Sequence, residues 1–251
     1  MKTLIYDIET APIIGTTWGK YEQNLIWTIQ DWYLLSFAYK WLGDKHTKVI
    51  GLDDFALYKK QPENDIMVVK ELHKLFDEAD VIIAHNGDQF DKKMVTTRFM
   101  IHKLTPPSPY KTIDTKKVAK RYARFTSNKL DDLGESLQIG HKLDTGGAEL
   151  WKACMRGDQK AWRKMKRYNK QDVVLLEKLY LELRPWIDNH PGVNIYDNRP
   201  DACPKCGGAV LTSQGTARTK TALYRQFKCK TCGGWCRQRQ SEKTSKMVYV
   251  N

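Results

Sequence analysis

The 251-residue sequence has no long hydrophobic run and no visible internal repeat or low-complexity segment. No stretch approaches the roughly 18 uninterrupted apolar residues that a transmembrane helix requires. Residues 1–7 become acidic before the apolar region of a secretory signal peptide could form. We therefore expect a cytoplasmic protein without a membrane partner. An aromatic content of 11% is too high for a disordered tail.

Acidic residues are also few. The sequence has 29 Asp and Glu against 42 Lys and Arg, for a formal net charge of +13. Such an excess favours a polyanionic partner, above all nucleic acid, because phosphates need neutralisation; a basic surface that only aids solubility is the alternative. Residues 197–251 carry eleven Lys and Arg but only three Asp and Glu. The C-terminal segment therefore differs in kind from the rest.

Cysteine is scarce outside this segment, which holds five of the six cysteines. Cys203 and Cys206 form one C-x-x-C knuckle, and Cys229 and Cys232 form a second; each is followed by Gly-Gly. Because a reducing cytoplasm disfavours disulfides, this spacing predicts one structural Zn²⁺ held by four thiolates. An alternative ligand set combines Cys229, Cys232 and Cys236 with one member of the first pair.

The sequence around the knuckles resembles a zinc ribbon, with short strands expected at residues 209–211 and 222–228. We predict a ribbon at 201–251, a breaker-rich linker at 189–200 and a larger first domain at 1–188. The metal would replace a core that so short a segment cannot build. The ribbon is basic and contains several aromatic residues, so it could also bind nucleic acid or a protein partner.

The hydrophobic patterns of the first domain predict an α/β fold, a mixed sheet flanked by helices. Three strands in succession imply an antiparallel start, and helices then alternate with a further strand. The predicted strands are residues 2–8, 32–41, 48–52 and 81–84. The predicted helices are residues 64–79, 91–102, 115–121, 129–137, 158–169 and 170–183.

The first candidate motif is Asp7-Ile8-Glu9-Thr10, at the end of the first predicted strand. Residues i and i+2 of a strand project from the same face, so the carboxylates of Asp7 and Glu9 stand side by side. Two adjacent carboxylates repel each other, and hard oxygen ligands select a divalent cation such as Mg²⁺ or Mn²⁺ to neutralise them. A solvated strand edge is the alternative interpretation.

The second candidate motif is the segment 85–91, His-Asn-Gly-Asp-Gln-Phe-Asp, directly after the apolar strand at 81–84. Polar side chains at the carboxyl end of a strand are typical of ligand sites in α/β sheets. Asp88 and Asp91 are the two candidate carboxylates, and Asp91 would also suit a helix N-cap.

The third candidate motif is Tyr168-Asn169-Lys170-Gln171-Asp172. Tyr168 and Asp172 are four residues apart, so on a helix they lie on one face and reach the same site. The apolar residues after Asp172 would seat this helix against the sheet. By itself the motif is also compatible with an ordinary amphipathic helix.

Taken in this order, the three motifs resemble the DEDD superfamily of 3′–5′ exonucleases, also called DnaQ-like, over about residues 2–185. The family has a ribonuclease H-like fold. Tyrosine, rather than histidine, four residues before the last Asp is typical of its DEDDy branch. The sequence is similar to the proofreading domains of family B DNA polymerases and to the free-standing YprB-like exonucleases. The stretch Gly140-His141-Lys142 is similar to theirs too, although it is less diagnostic.

The resemblance implies a site and a reaction. Two Mg²⁺ or Mn²⁺ ions would hydrolyse the last phosphodiester of a single-stranded DNA 3′ end and release a nucleoside 5′-monophosphate. Tyr168 would orient the attacking water, and Asn86 and Phe90 would contact the terminal nucleotide. The spacing Asn-x-x-x-Phe-Asp favours Asp91 over Asp88. The four carboxylates expected to hold the ions are those of Asp7, Glu9, Asp91 and Asp172.

A cationic segment precedes the third motif, with eight Lys and Arg between residues 152 and 170. Arg163, Lys164 and Arg167 are the predicted contacts for the single-stranded backbone, and Trp151 or Trp162 could stack bases. A solvated helix face is the alternative, as is a core position for Trp162.

Three other functions compete with the DNA exonuclease. The same carboxylates would serve an RNA 3′–5′ exonuclease. A nucleic-acid-binding accessory protein with a non-catalytic nuclease-like domain could be recruited through the ribbon to a replication or repair protein. An endonuclease of the ribonuclease H type is disfavoured by Tyr168.

Overall fold

The computed structural model describes residues 1–21 and 24–247, which form two compact units. The larger unit comprises Lys2–Leu179, and the smaller comprises Met1 with the residues from Tyr180 onward. In the described part of the chain, no helix combines the length and the apolar character needed to cross a bilayer.

Within its described residues, the larger unit contains seven strands and six α-helices. Its strands are β1 (Thr3–Thr10), β2 (Ile14–Thr16), β3 (Trp27–Gln30), β4 (Leu34–Trp41), β5 (Lys48–Gly51), β6 (Val81–Ala84) and β7 (Lys111–Asp114). Its helices are α1 (Ile66–Glu78), α2 (Asp91–Ile101), α3 (Thr115–Tyr122), α4 (Leu130–Ser136), α5 (Glu149–Met155) and α6 (Gln159–Leu183), the last of which continues into the smaller unit.

A five-stranded mixed sheet organises this unit, in the order β5-β4-β1-β6-β7. The central strand β1 pairs antiparallel with β4 and parallel with β6. β4 pairs antiparallel with β5, and β6 pairs parallel with β7. The predicted α/β fold class and its antiparallel start are confirmed.

The sheet is buried because its central strands are apolar. All four residues of β6, Val-Ile-Ile-Ala, are buried, as expected for a strand covered on both faces. Helix α1 directs a stripe of buried side chains at the sheet, and its Phe76 ring meets Tyr6 of β1 edge-on at a centroid distance of 5.1 Å. This packing fixes β1, the strand that carries the first acidic motif.

The structure departs from the predicted elements in four places. Residues 159–183 form the single helix α6 rather than two helices, because no Gly or Pro interrupts them before Pro185. The β2–β3 pair and strand β7 are absent from the predicted strands. They are only three or four residues long, and Ile113 is the one buried hydrophobic residue of β7. Helix α5, which is seven residues long, is absent from the predicted helices.

The smaller unit contains a sheet around one central strand. Helix α7 (Val193–Tyr196) precedes the strands β8 (Leu211–Arg218), β9 (Ala222–Cys229), β10 (Trp235–Arg237) and β11 (Lys243–Thr244). β9 pairs antiparallel with each of the other three. The strand expected at 222–228 is present, whereas the one expected at 209–211 begins only at Leu211. The segment 189–200, for which a linker is predicted, contains α7.

Candidate functional site

Three carboxylates converge where β1 ends. Asp7 and Glu9 project from this strand, and Asp172 reaches them from the middle of α6. One carboxylate oxygen from each of the three lies within 4.8 Å of the others. Glu9 is 8% exposed and Asp172 only 1%. The structure thus brings together three of the four predicted metal ligands in a poorly hydrated place.

The fourth predicted ligand, Asp91, lies beside this group but not within it. It is the first residue of α2 and is buried, and its carboxylate accepts a hydrogen bond from the backbone N–H of Ile8 on β1. Its charge raises the pKa of Asp7. The rival carboxylate Asp88 instead pairs with the Lys117 ammonium at 2.7 Å.

Tyr168 and Lys142 border the same group. Tyr168 lies one turn before Asp172 on α6 and is partly buried. The Lys142 ammonium lies 2.7 Å from Asp172 Oδ2 and 5.1 Å from the centroid of the Tyr168 ring. Sequence reasoning assigned Lys142 no role of its own, because nothing in its spacing from Asp172 indicates an ion pair.

Two further side chains hold the carboxylates in place. The buried Asn169 amide donates to Asp7 Oδ2 at 2.7 Å, and its own oxygen accepts from the Ser36 hydroxyl at 3.2 Å. The Trp151 indole N–H donates to Glu9 Oε2 at 3.0 Å. Asn169 lies inside the Tyr-x-x-x-Asp motif, so its proximity could have been anticipated. Nothing in the sequence indicates the contact between Trp151 and Glu9, which are 142 residues apart.

The carboxylates are difficult to ionise together. Burial, and then the charges of Asp172 and Glu9, raise the pKa of Asp7 well above its usual value. Burial and the Asp172 charge raise the pKa of Glu9 to about 8, and burial raises that of Asp91 to about 6. A cluster of this kind favours an added cation, which would stabilise the ionised forms.

The Tyr168 hydroxyl and the Lys142 ammonium, beside the carboxylates, stay protonated. Burial, followed by the Asp172 charge, raises the pKa of Tyr168 above its usual range. Burial alone would lower the pKa of Lys142, but the charge of Asp172 and a hydrogen bond with it outweigh this effect and raise the pKa. Tyr168 therefore remains a neutral phenol, and Lys142 remains a cation at neutral pH.

The residues present fit a divalent cation. Asp172 Oδ1 is buried and has no hydrogen-bond partner, although such an atom normally requires one. Its neighbours are carboxylate oxygens, the ligand type that Mg²⁺ and Mn²⁺ prefer. Asp7, Glu9 and Asp172, with Asp91 next to them, form the candidate metal centre.

The loop after β6 positions the predicted nucleotide contacts. Asn86 adopts a positive φ of 64°, and its backbone N–H donates to Asp114 Oδ1 at 2.9 Å. A side chain at Gly87 would place Cβ 2.4 Å from that of Ala84, so the tight turn requires glycine there. Phe90 follows and is 45% exposed. This loop leaves the Phe90 ring accessible immediately before Asp91.

The cationic segment contains side chains with close polar partners and side chains that are exposed on the helix surface. Lys164 donates to the Thr145 carbonyl at 2.9 Å, and Lys166 pairs with Asp53 and Asp54. Lys160, Arg163, Arg167 and Lys170 are exposed, and their spacing of three and four residues places them on one stripe of α6. Three side chains are predicted to contact the backbone of the nucleic acid. Arg163 and Arg167 belong to this stripe, whereas Lys164 lies on the same helix face as Tyr168.

The two tryptophans suggested as stacking platforms differ in burial. Trp162 is fully buried in the core and donates its indole N–H to the Tyr58 hydroxyl at 3.2 Å. Trp151 is partly buried, holds Glu9 and meets the Tyr168 ring edge-on at 6.2 Å. The stacking role expected of Trp162 is wrong, because the ring is a core residue.

The smaller unit holds the second candidate metal centre. The sulfurs of Cys203, Cys206, Cys229 and Cys232 lie within 4.8 Å of one another. The two knuckles have matching backbones: the amides of Cys203 and Cys229 each donate to the carbonyl of the second glycine that follows their knuckle, at 2.9 Å. The first glycines have a positive φ of 70° and 73°, which favours glycine.

The sulfur spacing fits zinc. The Sγ atoms of Cys203 and Cys232 are 3.8 Å apart, and those of Cys206 and Cys229 are 3.7 Å apart. Four sulfurs at the usual Zn–S distance of about 2.3 Å around a tetrahedral ion are separated by about 3.8 Å. The four clustered thiols are those of the two knuckles; Cys236, on β10, is outside the group.

A mixed sheet whose central strand ends in an acidic cluster defines the ribonuclease H-like class of α/β domains. Comparison with protein families matches residues 4–184 to the RNase_H superfamily. The chain belongs to this superfamily, whose members are generally nucleases that use divalent metals. No curated protein matches the chain.

Proposed function

We propose that this chain is a metal-dependent 3′–5′ exonuclease that removes nucleoside 5′-monophosphates from single-stranded DNA 3′ ends. The observation that carries the proposal is the convergence of Asp7, Glu9 and Asp172, with the Tyr168 hydroxyl group one helical turn away. The buried, unpartnered oxygen of Asp172 supports a metal at this point. This combination is the one that the DEDDy resemblance implies.

In the proposed site, Asp7, Glu9, Asp91 and Asp172 would hold two Mg²⁺ or Mn²⁺ ions. When bound, such ions activate a water and stabilise charge on the scissile phosphate. Tyr168 would orient that water by hydrogen bonding. Its raised pKa makes it unsuitable as a general base, so its contribution is orientation rather than proton removal.

The surrounding side chains would fix the carboxylate geometry. Asn169 holds Asp7, and Trp151 holds Glu9, each through one donated hydrogen bond. Lys142 holds Asp172 Oδ2 and leaves Oδ1 free. A rigid ligand set of this kind lowers the cost of ordering the site when substrate arrives.

The substrate would be drawn in by positive charge. The exposed stripe of α6, which includes Arg163 and Arg167, suits the phosphate backbone, and Asn86 and Phe90 would contact the terminal nucleotide. We further propose a zinc ribbon at 201–251 with one structural Zn²⁺. Its exposed cations, Arg218 and Lys220 among them, would bind nucleic acid or a replication or repair protein.

Labelled oligonucleotides test the activity. A single-stranded DNA carrying a 5′ label should give a ladder shortened from its 3′ end with Mn²⁺, and EDTA should abolish it. Asp7→Ala should lose the ladder because Asp7 is central to the carboxylate group. Asp88→Ala is the matched control, since Asp88 pairs with Lys117 outside that group and should leave cleavage intact.

The outcomes separate the competing functions. A ladder that persists in Asp7→Ala would refute the proposed site. A ladder on RNA but not on DNA would indicate the RNA exonuclease. Binding of both polymers without any cleavage would indicate the accessory protein with a non-catalytic domain.

A further inference from the structure

The β2–β3 hairpin, with the residues that flank it, carries eight exposed large hydrophobic side chains among the described residues 13–21 and 24–30. It forms a separate two-stranded sheet, in which Gly15 pairs with Thr28 and Thr16 with Trp27. Among its described residues, 13–21 and 24–30, no apolar side chain belongs to the core or packs against it. An isolated two-stranded hairpin is marginally stable in water, so its exposed rings point to a binding surface.

The hairpin emerges beside the carboxylates. β1 ends at Thr10, one residue after Glu9, and β4 begins at Leu34. The backbone N–H of Ala11 donates a hydrogen bond to the Tyr33 carbonyl at 2.9 Å, and this bond joins the two chain segments at the base of the hairpin. The base of the hairpin therefore lies at the end of the strand that carries Asp7 and Glu9.

The exposed side chains are suited to nucleobases. Trp18, Tyr21 and Trp27 are 84%, 90% and 57% exposed. The Lys20 ammonium lies 5.9 Å from the Tyr21 ring centroid, which places a cation beside an aromatic face. Aromatic faces that stack bases, together with cations that meet phosphates, are the means by which proteins bind single strands without sequence preference.

We propose that the β2–β3 hairpin is a base-stacking surface for the unpaired strand that leads to the carboxylate cluster, an inference that rests on the proposed exonuclease function. Trp18 and Tyr21 are the principal stacking residues. Trp27 and Ile29, two residues apart on β3, share one face and extend the surface. The hairpin would take the stacking role that Trp162, buried in the core, cannot perform.

Binding without cleavage tests the surface. The probe is fluorescein-labelled oligothymidylate of twelve nucleotides in buffer without added Mg²⁺ or Mn²⁺, and the protein is the full chain with its zinc. Trp18→Ala/Tyr21→Ala should raise the dissociation constant at least about tenfold, since each stacked base contributes substantially. Trp18→Phe/Tyr21→Phe should bind nearly as the wild type does, because the aromatic faces remain. Trp186→Ala, an exposed tryptophan outside the hairpin, is the matched control.

A second probe isolates stacking from other contacts. It has the same length and phosphates but carries abasic sites at the four positions preceding the 3′-terminal nucleotide. The wild type should bind it more weakly than the complete probe, and the double alanine variant should lose little further affinity. Thermal melting should show that both variants are folded, because the substituted side chains are almost fully exposed.

The outcomes distinguish this inference from the proposed function. If the double alanine variant binds oligothymidylate within about twofold of the wild type, or if it loses equal affinity for the abasic probe, the hairpin does not stack bases. Mn²⁺-dependent cleavage by the wild type would then leave the exonuclease proposal standing. Weakened binding in the double variant together with absent wild-type cleavage would support the surface and refute the exonuclease.

Discussion

Replacing Glu9 by Gln should stabilise the metal-free protein. The carboxylate of Glu9 is buried near Asp172, and its pKa is raised from 4.5 to about 8. The folded state therefore binds a proton that the unfolded state has released at neutral pH, and ionisation of Glu9 opposes folding. Gln removes this charge and keeps an oxygen that can accept the Trp151 hydrogen bond.

The magnitude depends on pH. When a carboxyl group has a higher pKa in the folded state than in the unfolded state, its ionisation destabilises the protein. Between the two pKa values, the free energy of unfolding falls by about 1.4 kcal/mol per pH unit. For Glu9 the cost is at most about 4 kcal/mol at pH 7.5 and about 1 kcal/mol at pH 5. At about 2–4 °C per kcal/mol, Glu9→Gln should raise the melting temperature in EDTA by about 8–16 °C at pH 7.5 and by far less at pH 5.

Differential scanning fluorimetry at the two pH values measures this effect. Glu149→Gln is the matched control, because Glu149 is exposed and a hydrogen bond and the charge of Lys152 lower its pKa, so its removal should not stabilise the protein. Saturating Mn²⁺ should raise the melting temperature of the wild type at pH 7.5 more than that of Glu9→Gln. An equal gain at both pH values, or no gain at pH 7.5, would refute the account of the acidic cluster.

Four further substitutions test individual side chains. Asn169→Ala should lower stability by about 1–3 kcal/mol in chemical denaturation, because it leaves the buried Ser36 hydroxyl without its acceptor, and it should slow Mn²⁺-dependent cleavage. Trp151→Phe removes the hydrogen bond that lowers the pKa of Glu9, so the acidic limb of the pH–rate profile should move to higher pH. Cys206→Ser should abolish the one zinc per chain that elemental analysis should find in the wild type, whereas Cys236→Ser should retain it.

The parts of the site that the sequence predicts are those governed by local periodicity. Asp7 and Glu9 share a face because a strand repeats every two residues, and Tyr168 and Asp172 share a face because a helix repeats nearly every four. The four clustered cysteines follow from two short knuckles. In each case the geometry depends on neighbours within a few residues, which the sequence displays directly.

The parts that the sequence does not predict depend on contacts between distant segments. Lys142 lies in a loop, and only the folded chain brings its ammonium to Asp172, 30 residues away. Trp151 reaches Glu9 from a seven-residue helix. The β2–β3 hairpin pairs through strands of only three and four residues. No periodic pattern encodes such contacts, so they require the structure.

The charges around the site favour two divalent cations over one. Asp7, Glu9, Asp91 and Asp172, when ionised, carry four negative charges, and the ammonium of Lys142 compensates one of them. One divalent cation would leave the site negative and would repel a phosphodiester. Two would leave a single positive charge, which the phosphodiester neutralises. Since electrostatic complementarity to the reacting phosphate is the main requirement of such a site, Lys142 and the four carboxylates together favour the two-metal arrangement.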